Sequence, residues 1–366
     1  MPHTSSLSTT NFQLSTIVIP MVSGIGNALM TEPMVRQLRA ALPGARIVVV
    51  AINRAMGDVL ARVGGIECVV TGAGVKNMLR SIRVTRAMSP DAYVVPFPSN
   101  RWQYNALAAA SGAKRVVIHS YPTQAFSIKR FERVGAQRGI HDVIQNLRLL
   151  PALGIVPNET DSPRYPVTDA ERERADTIFR EHKLPEKFVV VHAGSAKTIL
   201  AEAKRWPVEQ YAKLVQQIVK DCSLPVVIVE GPDETGVGEA ILGYCNNRND
   251  IHLLPLRGAL GDSAAVLERS SFYVGTDSGL AHLASAVGRA AVTLFAPADP
   301  DRVCPFGQRH LVVQPPGMTE PSFLYPWEST KPRIRPGHID DIKRITVDQV
   351  MQKVLTLLVP SPSGLG

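Results

Sequence analysis

Short runs of valine and isoleucine recur along this chain, separated by longer stretches in which apolar and polar positions alternate with helical spacing. The runs at 16–21, 47–51, 68–70, 92–95 and 116–119 are apolar without polar interruption, as strands buried on both faces are. A second series follows at 188–192, 226–230, 251–254, 272–275 and 291–295. Strand–helix alternation of this kind predicts parallel sheets covered by helices on both faces. Between the two series, Pro157, Pro163 and Pro166 mark a linker after Pro151. Residues 314–338 hold six prolines and little periodicity, which predicts a surface loop, and 347–358 reads as a last helix. The expected fold is α/β, with two doubly wound Rossmann-like domains. The expected divisions are a flexible leader at 1–14, a first domain at 15–165, a second at 166–345, and a final helix and tail at 346–366.

Two places in the second series carry polar residues where a strand meets a helix. In Val274-Gly275-Thr276-Asp277-Ser278-Gly279-Leu280-Ala281-His282, an apolar strand stops at a polar pair and a glycine, and an Ala-rich helix begins. Asp277 and Ser278 are capping residues, Gly279 admits close approach to the backbone, and the first helical turn offers unpaired N–H groups that suit phosphate. Ser278 and His282 stand four apart and share a face. Asp277, repelled by phosphate, suits sugar hydroxyls. Upstream, the strand ending at His192 runs into Ala193-Gly194-Ser195, and Lys204-Arg205-Trp206-Pro207 precedes an amphipathic helix. A cation beside a small-residue turn is what a pyrophosphate requires. Together the two segments point to a sugar attached to a diphosphate.

Composition narrows the class. A chain of 366 residues suits two domains, and 45% apolar with 20% charged residues is the balance of a soluble globular enzyme. No apolar run nears the ~18 residues of a membrane span. The Ser/Thr-rich leader lacks the basic start and apolar core of a signal peptide. Cys68, Cys222, Cys245 and Cys304 lie far apart, which suits a reducing cytoplasm and neither a zinc site nor a disulfide framework. Charge is uneven: residues 1–160 hold 17 Lys+Arg against 7 Asp+Glu, while the remainder holds 23 against 25. A basic first half suits an anionic acceptor, such as a phosphorylated glycolipid at a membrane surface. Its basic residues fall in short groups without interleaved aromatics, which argues against nucleic acid. Arg80, Arg83 and Arg86 form a helical stripe that is solvated or meets phosphates.

The segments Ala203-Lys204-Arg205-Trp206-Pro207, Asp277 to Ala284, Leu294-Phe295-Ala296-Pro297 and Ile345-Thr346-Val347 resemble the ADP-heptose:lipopolysaccharide heptosyltransferases, family 9 of the glycosyltransferases. Gly26-Asn27-Ala28-Leu29-Met30-Thr31-Glu32-Pro33 resembles that family's opening strand–loop–helix. The resemblance implies the GT-B architecture, with two domains facing a central cleft and a last helix of the kind that often returns to the first domain, and an inverting transfer; without a clear Asp-x-Asp metal motif, that transfer is expected to be metal-independent. It needs no cofactor, with an ADP-sugar as co-substrate. It implies donor contacts from His192, Gly194, Ser195, Lys204, Asp277, Ser278, Gly279 and His282. Asp233 or Glu234 would hold the ribose, and Gly258 would lie beside the base. Gly24, Gly26, Arg54 and Trp102 are the candidate acceptor-side residues, with Tyr104 beside Trp102. The expected place of action is the cytoplasm, at most peripheral to the inner membrane.

One position departs from the family. An aspartate taken as the catalytic base follows the first-loop glycine there, and this chain has Asn27. An amide accepts no proton at neutral pH, so three readings stand open. A neighbouring acid, Glu32 or Asp58, takes over. Alternatively, the acceptor supplies an amine or another nucleophile needing little base assistance. In the third, the protein binds a nucleotide sugar without transferring it. Asn27, Glu32 and Lys204 are accordingly the candidate catalytic residues. A GT-B-fold nucleotide-sugar epimerase is a further alternative. The Gly24/Gly26 loop superficially matches a dinucleotide fingerprint, but Leu29 replaces the third glycine, and the second strand ends without the ribose-binding acid.

Overall fold

Uninterrupted Val/Ile runs leave no face for water, so most of the strands they form sit inside sheets covered on both sides, while the runs at 68–70 and 251–254 become sheet edges. The structure, a computed structural model, describes residues 14–123, 128, 130–194, 200, 202–231, 234–246 and 249–358. The first half runs β1 (Thr16–Met21), α1 (Ile25–Ala41), β2 (Arg46–Ala51), α2 (Arg54–Ala61), β3 (Ile66–Val70), α3 (Val75–Ala87), β4 (Ala92–Val94), α4 (Trp102–Ala110), β5 (Arg115–Ser120), β6 (Glu132–Gly135) and α5 (Asp142–Leu147). After α6 (Asp169–Glu181) come β7 (Val189–His192), α7 (Val208–Cys222), β8 (Val226–Glu230), α8 (Val237–Gly243), β9 (Ile251–Pro255) and α9 (Leu260–Arg269). The chain continues with β10 (Tyr273–Thr276), α10 (Gly279–Ala286), β11 (Ala291–Leu294), α11 (Pro300–Val303), β12 (Val312–Val313) and α12 (Val347–Thr356).

Both sheets are parallel and share one topology: β3-β2-β1-β4-β5-β6 and β9-β8-β7-β10-β11-β12. Each therefore reverses strand order beside its first strand, and ligands of such sheets bind beyond the carboxyl ends at that switch. In the first sheet Ile17 stands beside Ile47 and Ala92, and Ile17 and Ile19 face the opposite side from Val18. The Ile17 side joins α1 and α10 and continues to Val190 and Val227 of the second sheet as one apolar cluster. Each buried Ile or Leu there contributes roughly 1.5–3 kcal/mol, so the two halves are held together by apolar packing at the floor of the cleft.

The strand pattern is as the sequence predicts, with two additions. The edge strands β6 and β12 lack an apolar run long enough to announce them. Two expectations need correction. Helix α12 does not return to the first domain; Val350, Met351 and Val354 pack with α7 and the β11–β12 side of the second sheet. The proline-rich 314–338 stretch is more than a surface loop. Asn100 Nδ2 donates to Pro326 O at 2.9 Å, Thr123 Oγ1 donates to the same oxygen at 2.9 Å, and Trp327 packs on Phe97 and Tyr121. The stretch is a strap from the second half to the first. The linker is pinned to α1: Arg36 pairs with Asp161 at 2.6 Å, and Glu32 Oε2 accepts the Arg164 N–H at 3.0 Å. The leader lies outside the described residues up to residue 13.

Candidate functional site

Two helices start at the cleft from opposite domains. Gly24 precedes α1 and Ser278 precedes α10, and neither helix is capped by a side chain. The first intrahelical bonds are Ala28 N–H to Gly24 O and His282 N–H to Ser278 O. The N–H groups of residues 25–27 and 279–281 are thus left for a ligand, with the positive ends of two helix dipoles beside them. The helices meet closely. A Cβ on Gly26 would stand 2.9 Å from His282 Cδ2, and one on Gly279 would stand 3.2 Å from Ile25 Cβ. Gly26 is required by this contact between domains, whereas a Cβ on Gly24 would meet nothing within 4 Å.

Around this junction lies a cavity of about 530 Å³ lined from the first half by Gly24, Gly26, Asn27, Arg101 and Tyr104. The second half contributes Lys204, Asp277, Ser278, Gly279, His282, Arg302 and Tyr325. Lys204 Nζ lies 2.5 Å from Asp277 Oδ2, with side chains 17% and 9% exposed. A second cavity of about 300 Å³ is lined by His192, Glu234, Leu256, Gly258 and Leu260, and it shares Ile25, Ser278 and Gly279 with the first.

Behind Ser278 runs a buried polar chain. His192 Nε2 lies 2.8 Å from Glu234 Oε2, and its Nδ1 lies 3.1 Å from Tyr273 Oη and 3.3 Å from Ser278 Oγ. Glu234 Oε2 also accepts the Gly231 N–H at 3.0 Å. Burial pushes the Glu234 carboxyl upward, but the His192 bond and charge outweigh it and hold the group below its ordinary value. Gly194 has to be glycine, because a Cβ would fall 1.9 Å from Glu234 Cδ. Thr276 Oγ1 donates to Gly194 O at 2.9 Å, so the ends of β7, β8 and β10 form one unit.

His282 makes no side-chain hydrogen bond among the described residues. Burial holds its imidazole below the ordinary histidine value, with Asp277 opposing and Lys204 assisting. Below the cavity floor, Asp142 at the start of α5 is buried beside Arg302, with Oδ1 3.0 Å from Nε. Burial raises Asp142 to about 7, against the pull of Arg302. Arg302 also donates to Tyr325 O at 2.9 Å, and Arg101 lies over the Tyr325 ring, 5.3 Å from its centroid.

Several expected residues lie elsewhere. Glu32 is not in the cleft; it is buried, paired with Arg36 at 2.7 Å, and spent on anchoring the linker. Asp58 faces Arg54 at 3.9 Å, and Arg54, with a side chain 90% exposed, lines neither cavity. Trp102 is turned to solvent at 68% exposure, while its neighbour Tyr104 faces the cavity. Ser195 and Asp233 lie outside the described residues. Asp299-Pro300-Asp301 is a helix cap, with Asp299 Oδ1 accepting the Asp301 N–H at 3.0 Å. Arg101, Arg302, Tyr325 and Asp142 were missed because each gains its place from a contact distant in sequence. Only Arg302 left a local trace, a cation in the short helix α11 that follows β11.

The sequence pattern described as Glycosyltransferase family 9 (heptosyltransferase) matches residues 106–325. The chain is 24% identical to lipopolysaccharide heptosyltransferase 3 of Escherichia coli (strain K12) over 295 residues, covering 75% of this chain and 80% of that one. Among solved structures it is similar to a glycosyl transferase family 9 protein from Veillonella parvula DSM 2008, with TM-score 0.74, 19% identity, and 95% and 98% of the two chains covered. It is also similar to E. coli ADP-heptose lps heptosyltransferase II, with TM-score 0.71, 20% identity and coverages of 94% and 98%. These two likenesses establish the GT-B fold, two Rossmann-like domains about a cleft.

Proposed function

Since the chain belongs to glycosyltransferase family 9, the heptosyltransferases, we propose that it transfers a heptose or related sugar, with inversion, from ADP-heptose to an acceptor held by its first domain. The acceptor is a lipopolysaccharide-core sugar, as the names of its relatives suggest, or a small molecule with a hydroxyl or amine nucleophile. The reading rests above all on the junction of the two cavities at Ser278 and Gly279. Adenosine fits the smaller cavity, its ribose against Glu234 and its base beside Gly258, Leu256 and Leu260. The diphosphate then spans the amino end of α10, and the sugar enters the larger cavity facing Asn27.

In the transfer, the bond from the anomeric carbon to the phosphate oxygen breaks and its electrons leave with ADP. The acceptor atom bonds to the anomeric carbon and gives up its proton. Lys204 and the free N–H groups of α10 meet the charge that develops on the leaving phosphate. Asp277, held by Lys204, supports both the cation's position and the sugar hydroxyls. In this reading Asn27 takes the place of the family's aspartate and orients the acceptor. The proton passes to His282, which burial keeps uncharged and which touches Gly26 beside Asn27. This charge compensation calls for no metal, so transfer should continue in a chelator. The place of action is the cytoplasmic face of a membrane.

Mixing the protein with ADP-heptose, with and without a lipopolysaccharide-core acceptor or an aminated small molecule, and following free ADP tests the proposal. ADP formed only with an acceptor supports transfer. Binding with no turnover on either acceptor identifies a silent nucleotide-sugar binder, and an altered nucleotide sugar without free ADP identifies an epimerase.

A further inference from the structure

Helix α3 is the least anchored element of the first sheet's cover. Of its thirteen residues only Thr85 is buried, while Val75 and Leu79 are 76% and 58% exposed. Its tether is polar, Ser81 Oγ to Thr71 Oγ1 at 2.7 Å. At 3.6 residues per turn, Val75, Lys76, Leu79, Arg80, Arg83 and Arg86 fall on one exposed face, and the helix has no acid. Nor does the neighbourhood neutralise it. All seven carboxylates among residues 1–160 are paired with other cations, from Glu32 with Arg36 to Glu159 with Arg148. The four cations of α3 have no counter-ion among the described residues.

The position of this face relates it to the cleft. Helices α3 and α4 each return from a parallel strand and pack on each other, so both run the same way. Arg86 Cγ lies 3.6 Å from where a Cβ would stand on Gly112, which brings the carboxyl ends of the two helices together. Their amino ends, with Val75, Leu79 and the exposed Trp102, therefore share the end of the sheet where the strands terminate at the cavity. Arg101, directly before Trp102, lines that cavity.

We infer that the exposed face of α3, together with Trp102, docks on the surface of an anionic lipid bilayer. The four cations meet headgroup phosphates, Val75, Leu79 and Trp102 enter the interfacial layer, and the cavity mouth at Arg101 faces the bilayer. No described helix is long and apolar enough to cross a membrane, so the contact is peripheral. The pairing of cations with three large exposed apolar side chains selects a bilayer over a nucleic acid, whose backbone offers nothing to Val75 or Leu79. The inference deepens the glycolipid-acceptor reading proposed above, but the docking itself involves neither donor nor transfer.

Flotation with vesicles of mixed phosphatidylglycerol and phosphatidylcholine, against phosphatidylcholine alone, tests it. The protein should float with the anionic vesicles only, release as salt rises, and show a blue shift of fluorescence that Trp102→Phe abolishes, because Trp206 is already buried and Trp327 is half-buried against Phe97 and Tyr121. The triple variant Arg80→Ser/Arg83→Ser/Arg86→Ser should partition about a hundred-fold more weakly, and Val75→Ser/Leu79→Ser about ten-fold more weakly. Both should keep the native affinity for ADP by calorimetry, since α3 lines neither cavity. Equal binding to neutral vesicles, no binding to anionic ones, native partitioning by the variants, or capture by polyuridylate in place of vesicles overturns the inference. Docking without transfer to any acceptor leaves it standing and removes the transfer reading alone.

Discussion

Asn27 and His282 stand on the two helices that meet at the cleft, and they make opposite demands on the chemistry. In the proposed transfer the amide holds the acceptor without taking its proton, and the buried imidazole, neutral beforehand, takes that proton and becomes the imidazolium. His282→Asn should lower kcat by about 10²–10⁴-fold while leaving ADP affinity near native, measured by ADP release and calorimetry. Because the His282 value lies below the ordinary one, kcat/KM should stay level down to about pH 6.5 and fall only in more acid solution. A pH profile falling already above 7 would exclude His282 as the acceptor of the proton. Lys204→Ala should reduce kcat/KM by about 10²–10³-fold, with Lys204→Arg a poor substitute, because a planar guanidinium does not reproduce the ammonium's contacts to the Asp277 carboxylate and carbonyl. The motifs around Lys204 and Asp277 were legible in sequence because each is local. Glu32 misled because, beside its local i,i+4 pair with Arg36, the Arg164 amide claims it from far along the chain.

At the scale of elements, the junction where α5 begins ties the domains together. His141 Nε2 donates to Cys304 O at 2.8 Å, and its Nδ1 accepts the Val143 N–H at 3.2 Å, which requires the neutral ring. Burial lowers His141 to about 4, and burial raises the adjacent Asp142 to about 7. The signs oppose each other. Unfolded His141 binds a proton from about pH 6.5 downward while the folded ring does not, so stability is lost between about 6.5 and 4. Folded Asp142 binds its proton below about 7 and the unfolded group only near 4, so stability is gained over the same window. His141→Gln should therefore flatten the acid decline of the melting temperature, and Asp142→Asn should steepen it; equal slopes in both variants would contradict this. Nothing in the sequence of 141–142 predicts these values, because they depend on Arg302 and Cys304 from the other half.

At the scale of the whole molecule, one apolar cluster runs from the first sheet through α1 and α10 to the second, and the 322–335 strap crosses above it. The protein should accordingly unfold in a single calorimetric transition, as multidomain chains with separate cores do not. Two resolved peaks would show that the halves melt independently. Gly194→Ala should lower that single transition by about 1–3 kcal/mol of stability, by displacing Glu234, and weaken ADP binding with it. The charge asymmetry belongs to this scale as well. Among the described residues, the basic first half carries four cations without a counter-ion on α3, on the acceptor side of the cleft, and the second half is nearly neutral.

The sequence by itself determined the strand–helix alternation, the division into two parallel sheets and the polar turns at strand ends, because hydrophobic periodicity and turn chemistry act over a few residues. Tertiary structure alone decided which of those turns face each other. It joined Lys204 to Asp277 and His192 to Glu234, set His282 against Gly26, and brought Arg101 and Arg302 to one cavity. It likewise withdrew Glu32 and left α3 without counter-ions. Each of these depends on charge and burial supplied by residues far along the chain, and no local pattern encodes what a side chain meets across a cleft.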